Sequence, residues 1–249
     1  MRTALITGAS KSIGLATANA LAECGMSVIL FARSEAVEAA AAQLREAGYD
    51  ATAVRGDVSN FADTERAVAA AGEGGLDVLV NNAGTIDPIA HIGDADPAAW
   101  ADAIAVNLVG PFNAMRAVLP VMAEAGQGTV VNISSGAANS ALEGWSHYCA
   151  TKAGVQKLTA IGHKEYGERG INIVGLSPGT VATDMMRTIR DSGINPVSQL
   201  DWETHIPPED AARAVVYLIE GGAAKHAGAD FSIKTPEGRA EAGLPPLST

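Results

Sequence analysis

Cysteine is nearly absent. Cys24 and Cys149 are the only two in 249 residues, too few for a disulfide framework and without the spacing of a zinc site, so both are expected as free thiols in a reducing compartment. Aromatic residues make up only 4%, which leaves Ala, Val, Ile and Leu to fill the core and suits close layering of helices on strands. Basic residues are outnumbered, 17 against 28 acidic ones, for a net charge of −11. Affinity for nucleic acid or anionic membranes rests largely on Lys/Arg contacts to phosphate, so neither is expected as a partner. An anionic ligand would need a local positive patch. The opening MRTALITG has no signal-peptide core and no apolar run approaches membrane-spanning length, which predicts a cytoplasmic location. The five histidines, His91, His147, His163, His205 and His226, lack metal-ligand spacing, and no metal is expected. His147 reads as a solvated helix-face residue.

What is present is an alternation of short β-branched runs with Ala-rich helical stretches. Strands are predicted at 4–7, 28–32, 51–56, 76–81, 129–134, 171–176 and 228–233. Helices are predicted near 13–24, 34–47, 60–72, 97–125, 146–168 and 208–219. Repeated strand and helix implies a parallel sheet with helices on both faces, and without a linker or repeat the chain reads as one domain, 1–249. Residues 183–207 are long for a connection and predict a lid over a site. The Pro- and Gly-rich stretch 234–249 predicts an irregular tail.

Two sequence features carry chemistry. TGASKSIG, residues 7–14, follows the first strand and opens the first helix, where glycines allow close backbone approach to a pyrophosphate and free helix amides attract its charge. Tyr148 and Lys152 stand four residues apart, thirteen positions after Ser135. On a helix that spacing puts an ammonium beside a phenol. Moving a phenol from about 10 toward 7 takes roughly 4 kcal/mol, and one cation at about 4 Å with an effective dielectric near 20 supplies that order of energy.

Together with Asp57, NNAG at 81–84, Asn107 and PGTVAT at 178–183, these motifs are similar in order and spacing to the short-chain dehydrogenase/reductase family over about the first 185 residues. The resemblance implies a doubly wound Rossmann fold of about seven mainly parallel strands, binding NAD(P)(H) at their carboxyl ends. It implies that Tyr148 is the proton donor in carbonyl reduction, that Lys152 lowers its pKa and binds ribose, that Ser135 polarises the carbonyl, and that Asn107 holds a water linking Lys152 to solvent. By the same analogy Gly8, Ser10, Lys11, Ser12, Ile13 and Gly14 cradle the cofactor phosphates. Asp57 and Val58 contact adenine, Asn81, Ala83 and Gly84 shape the central channel, and Pro178, Gly179, Val181 and Thr183 border the nicotinamide. Ser12 departs from the family, which usually has glycine there.

Relatives that prefer NAD usually carry an acidic residue where this chain has Ala32, followed by Arg33. With Lys11, Arg33 forms a local positive pair suited to a 2′-phosphate, so NADP(H) is favoured over NAD(H). The stretches SSGAANSALEGWSHYCATKAG and TDMMRTIRDSGIN resemble the branch containing sepiapterin reductase and benzil reductase, which reduce vicinal dicarbonyls or α-hydroxy ketones. Met185, Met186, Ile189, Leu200 and Trp202 are candidates for an apolar lid over such a substrate. An NADPH-dependent carbonyl reductase is therefore expected. A secondary-alcohol dehydrogenase working oxidatively and a non-catalytic dinucleotide-sensing regulator stand beside it. Without the family's VDGG-like ending, a homodimer through 97–125 and 146–168 is favoured over a tetramer.

Overall fold

The computed structural model describes residues 1–247. Its strands are β1 (Thr3–Thr7), β2 (Ser27–Ala32), β3 (Ala51–Arg55), β4 (Val78–Asn81), β5 (Gly128–Ile133), β6 (Ile171–Ser177) and β7 (Asp230–Ser232). They form one sheet in the order β3-β2-β1-β4-β5-β6-β7, and every pairing is parallel. The order reverses between β1 and β4, so the crevice at the carboxyl ends of those two strands is the topological switch point where such sheets bind ligands. β1, β2 and β4 are almost wholly buried, as expected of strands covered on both faces.

The helices are α1 (Ser12–Glu23), α2 (Ala36–Glu46), α3 (Phe61–Ala69), α4 (Pro97–Ile104), α5 (Gly110–Ala125), α6 (Ser146–Tyr166), α7 (Asp184–Ser192), α8 (Pro208–Tyr217), α9 (Ala223–His226) and α10 (Pro236–Glu241). Leu21 of α1, Val37 of α2 and Val215 of α8 pack on one sheet face with Ile6 and Leu30. Ala67 of α3 and Val118 and Met122 of α5 pack on the other with Leu5 and Leu79. Helix starts follow their capping chemistry: Asn60 caps α3, and Asp96 followed by Pro97 caps α4.

Three features differ from expectation. The run at 97–125 is not one regular helix, because a π turn at Ala105–Val109 separates α4 from α5. Such turns occur frequently at functional sites, and this one carries Asn107. The whole Pro97–Ala125 run is also long and apolar enough to cross a bilayer, contrary to the expectation that no run approaches that length, but half of its most apolar window is buried inside the protein. The tail is not irregular throughout: Thr235 caps α10 with Pro236 in its first turn, so the residues that read as loop formers are helix-start signals. Arg239 of α10 is buried and pairs with Asp210 at 2.7 Å, which ties the tail to α8. Residues 248–249 of the predicted tail lie outside the described residues.

Candidate active site

The turn between β1 and α1 is built for close approach. Gly8 has φ 67°, and a Cβ there would lie 2.8 Å from the Ala83 Cα; a Cβ on Gly14 would lie 2.4 Å from the Gly8 carbonyl oxygen. Both positions therefore require glycine. Ser12, where the family usually has glycine, is the one non-glycine residue with positive φ among the described residues, at 52°, so the turn keeps a glycine-like backbone at some cost in strain. The α1 N-terminus, preceded by Lys11, has no side-chain cap, leaving first-turn amides and the helix dipole for an anion. Ser10 lies in this turn, and Ile13 packs partly on the core behind it. Asn82, which the sequence reading passed over, donates from Nδ2 to the Thr7 carbonyl at 2.9 Å, and its amide and that of Ala83 each donate to Thr7 Oγ1 at 3.0 Å. This residue locks the NNAG segment to the glycine turn. These features fit a dinucleotide pyrophosphate.

At the end of β2, Ala32 is buried and Arg33 is exposed. Arg33 Nη1 lies 3.5 Å from Asp57 Oδ2, while the other Asp57 oxygen accepts from the amide and hydroxyl of Ser59 at 2.9 and 2.8 Å. A second guanidinium stands beside it: Arg55 donates to the Arg33 carbonyl at 3.1 Å and to Glu35 at 2.7 Å. Its place one strand over made it invisible to a reading centred on β2. Lys11 reaches Asp184 at the start of α7, 2.8 Å away, and holds that carboxyl below its usual range. Val58 points its side chain at Gly110, where a Cβ would lie 2.7 Å from its Cγ2. Its side chain is core packing and not an adenine contact, because the small residue at Gly110 admits it.

Ser135 and Tyr148 face each other, Ser135 from the end of β5 and Tyr148 from the first turn of α6. Enclosure of the phenol pushes it up to about 12, partly offset by the Ser135 hydroxyl. Lys152 is buried, donates from Nζ to the Ile133 carbonyl at 2.7 Å, and stands 5.6 Å from the Tyr148 ring centre. The expected lowering of the phenol is thus not met: the ammonium is drawn to a carbonyl, while the phenol loses hydration. Lys152 is itself pushed down to about 8 by burial, against the opposing pull of Asp230. Asp230, on β7, accepts from Ser134 Oγ at 2.7 Å and from Gln156 Nε2 at 2.6 Å. Ser134 is occupied there, which separates it from Ser135.

Asn107 spends both ends of its amide on one residue, accepting from the Thr85 amide and donating to the Thr85 carbonyl, each at 2.8 Å. The side chain therefore clamps the loop after β4, beside Gly84. Asn81 likewise differs: its Nδ2 donates to Asn132 at 2.8 Å, and Asn132 donates to Thr159 at 2.8 Å. It belongs to a buried ladder tying β4 to β5 and α6 and does not line the channel. His147 is buried, bonds the Ile86 carbonyl at 2.8 Å, and is held below the usual imidazole range chiefly by desolvation. The solvated-face expectation fails because His147 is enclosed and its ring is engaged by the loop carbonyl of Ile86.

The segment expected to act as a lid folds as α7 and the turns after it. Met186 and Ile189 pack with Ile86, Ala137 and Trp145, and Tyr148, Met185 and Trp202 each pack against that cluster; Leu200 stays exposed. Asn195 donates to the Glu143 carbonyl at 2.9 Å, so the segment is fastened to the loop before Tyr148. Thr183 caps α7, Val181 bridges to Ile206, and Gly179 with Pro178 forms the turn after β6.

A doubly wound parallel sheet with an uncapped glycine-rich turn and a Tyr/Lys pair at its carboxyl ends defines the class, a dinucleotide-dependent oxidoreductase. The profile of the family described as short chain dehydrogenase matches residues 2–193, and the chain belongs to that family. It is 36% identical over 238 residues to 2-(S)-hydroxypropyl-CoM dehydrogenase 3 of Xanthobacter autotrophicus, covering 92% of this chain and 93% of that protein. It is 35% identical over 246 residues to cis-4-hydroxycyclohexanecarboxylate dehydrogenase of Sinomonas cyclohexanicum, covering 93% and 94%. An actinorhodin polyketide ketoreductase solved with NADPH superposes with a TM-score of 0.85 at 31% identity, over 93% of this chain and 95% of that one. The protein is accordingly an NAD(P)-dependent oxidoreductase acting on CH–OH or C=O groups.

Proposed function

We propose that the protein is an NADPH-dependent carbonyl reductase acting on ketones or vicinal dicarbonyls, with Tyr148 as proton donor. The observation that carries this reading is the meeting of the Ser135 hydroxyl with the Tyr148 phenol, with the buried Lys152 ammonium behind them; a phenol is protonated at neutral pH, as a donor must be. Gly8, Ser10, Lys11, Ser12, Ile13, Gly14 and the Asn82-braced loop at Ala83 and Gly84 would hold the dinucleotide phosphates, with Pro178, Gly179, Val181 and Thr183 beside its nicotinamide. Arg33 and Lys11 would take the 2′-phosphate, exchanging their carboxylate partners for it. The bound nicotinamide supplies the hydride that goes to the carbonyl carbon. Ser135 donates a hydrogen bond to the carbonyl oxygen, and Tyr148 passes its proton there as the π electrons move onto that oxygen. The phenolate left behind would be stabilised by the Lys152 ammonium, which stands 5.6 Å from the ring centre.

A second reading, oxidation of a secondary alcohol, is favoured by the names of the two dehydrogenase relatives. In that direction Tyr148 would accept the alcohol proton. As partners we propose a small-molecule substrate and a second copy of the chain, docked through the helical runs at 97–125 and 146–168, where Val109, Phe112, Val121 and Ile161 are exposed. The proposed setting is the cytoplasm.

The test is turnover of NADPH with a panel of ketones and diketones. Tyr148→Phe should lower kcat by at least about a thousandfold while NADPH binding stays within about twofold of the parent. Parent-like turnover in this variant refutes the assignment, and oxidation faster than reduction at neutral pH favours the second reading.

A further inference from the structure

The carboxyl ends of β5, β6 and β7 converge around Ser135, and one cation there has no part in the site described above. Lys234 follows β7 directly and is exposed. A methyl group placed on Gly179 would lie 2.8 Å from Lys234 Cγ, and one on Gly136 would lie 3.7 Å from its Nζ. The lysine stem therefore runs across the Pro178–Gly179 turn and sets its ammonium beside the residue that follows Ser135. Gly179, with φ 88°, has no side chain in the way. Among the described residues none of the ion pairs includes Lys234. The cations at the adenosine end contrast with it, since Lys11, Arg33 and Arg55 each have a carboxylate partner. In a chain of net charge −11, an unpaired ammonium at the substrate end of the site is a local anion attractor.

We propose that Lys234 binds an anionic group of the substrate, so that the protein prefers a ketone carrying a carboxylate a few bonds from the reacting carbonyl. The proposal rests on the carbonyl-reductase reading. Ser135 would hold the carbonyl oxygen while Lys234 holds the carboxylate, and two anchors on neighbouring strand ends fix which carbonyl faces Tyr148. The mouth is partly solvated, so the ion pair is worth about a tenfold change in KM and weakens with salt.

The experiment measures KM and kcat, with NADPH as cofactor, for 4-oxocyclohexanecarboxylate and for benzoylformate, each against its methyl ester. The parent, Lys234→Met and Lys234→Arg are compared at low and at high salt. Methionine keeps an apolar stem along Gly179 and removes only the charge. The expected result is an acid KM roughly tenfold below the ester KM in the parent, with the difference shrinking in salt. Lys234→Met should raise the acid KM about tenfold, leave the ester KM, kcat and the NADPH KM within about twofold, and Lys234→Arg should retain the acid preference. Ester turnover with neither acid preferred overturns the proposal and leaves the carbonyl-reductase reading standing. Parallel changes for acid and ester in Lys234→Met, or a raised NADPH KM, overturn it as well, because the lysine would then serve the turn or the cofactor. No turnover of any acid, ester, neutral ketone or diketone sinks the carbonyl-reductase reading and this proposal with it.

Discussion

Replacing Lys152 with methionine should make the protein more stable near neutral pH while removing turnover. Burial pushes the Lys152 ammonium from 10.5 down to about 8, and that gap corresponds to about 3 kcal/mol of penalty on the protonated form. The substitution also leaves the Ile133 carbonyl, now bonded at 2.7 Å, without this donor, a loss of about 1–2 kcal/mol. Methionine is unbranched and adapts to the space, so a net gain of about 1–2 kcal/mol remains, or roughly 4 °C in Tm for a chain of this size. The pH dependence identifies the cause. Between pH 8 and 10.5 the unfolded lysine still holds its proton and the folded one has lost it, so the unfolded state binds more protons and the parent gains stability as pH rises. The advantage of the variant is therefore complete below pH 8 and gone near 10.5. Tyr148 and Tyr217 are raised from 10.0 to about 12, so their own effect on stability sets in only from about pH 10 and is common to both proteins. Denaturant unfolding of both proteins at steps from about pH 7 to about pH 10 measures the difference. A variant less stable than the parent at every pH, or a difference that does not change across the window, refutes the argument that burial of this cation costs stability.

Two further predictions rest on other charges. Arg33→Ser should raise the KM for NADPH about tenfold, the order expected for one charge-assisted contact to phosphate, and leave that for NADH within about twofold; an equal effect on both cofactors in steady-state assays removes Arg33 from phosphate recognition. Arg239→Met leaves Asp210 buried without its partner at 2.7 Å, which should cost about 3–5 kcal/mol and lower Tm by about 10 °C. The double variant with Asp210→Leu should recover most of that loss, and a single variant melting within about 2 °C of the parent would show that the tail is not held by this pair.

The sheet was readable because its signal is local and redundant. Each strand is a short apolar run set between Ala-rich helical stretches, so all seven predicted strands and five of the six predicted helices correspond to observed elements with only end residues differing, while the run at 97–125 is divided into α4 and α5. The π turn at Ala105–Val109 and helix α10 were not readable for a different reason. A π turn adds one residue to a helix without changing its hydrophobic face, and Pro236 with Gly238 reads as loop until Arg239 finds Asp210, a partner 29 positions away. Such pairings are tertiary facts that no window along the chain contains.

Within the site the same division holds, and it decides which residues were misjudged. The motif residues that structure brings together, Ser135 with Tyr148 and Lys152 behind them, are set by helix geometry and strand ends. Asn107, Asn81, Val58 and His147 were assigned outward roles and instead spend their side chains on Thr85, Asn132, Gly110 and Ile86. Each is a buried group whose polar or apolar needs had to be met by the protein itself, and the spacing of a motif says nothing of where that partner lies. The Tyr148 and Lys152 pair shows the consequence for chemistry. An i, i+4 spacing correctly places the two groups on one face, yet their protonation follows from burial, which raises one and lowers the other. Together they leave a protonated phenol that meets Ser135 and is backed by a buried cation, and it is this juxtaposition, set by tertiary packing, that the spacing of the motif could not supply.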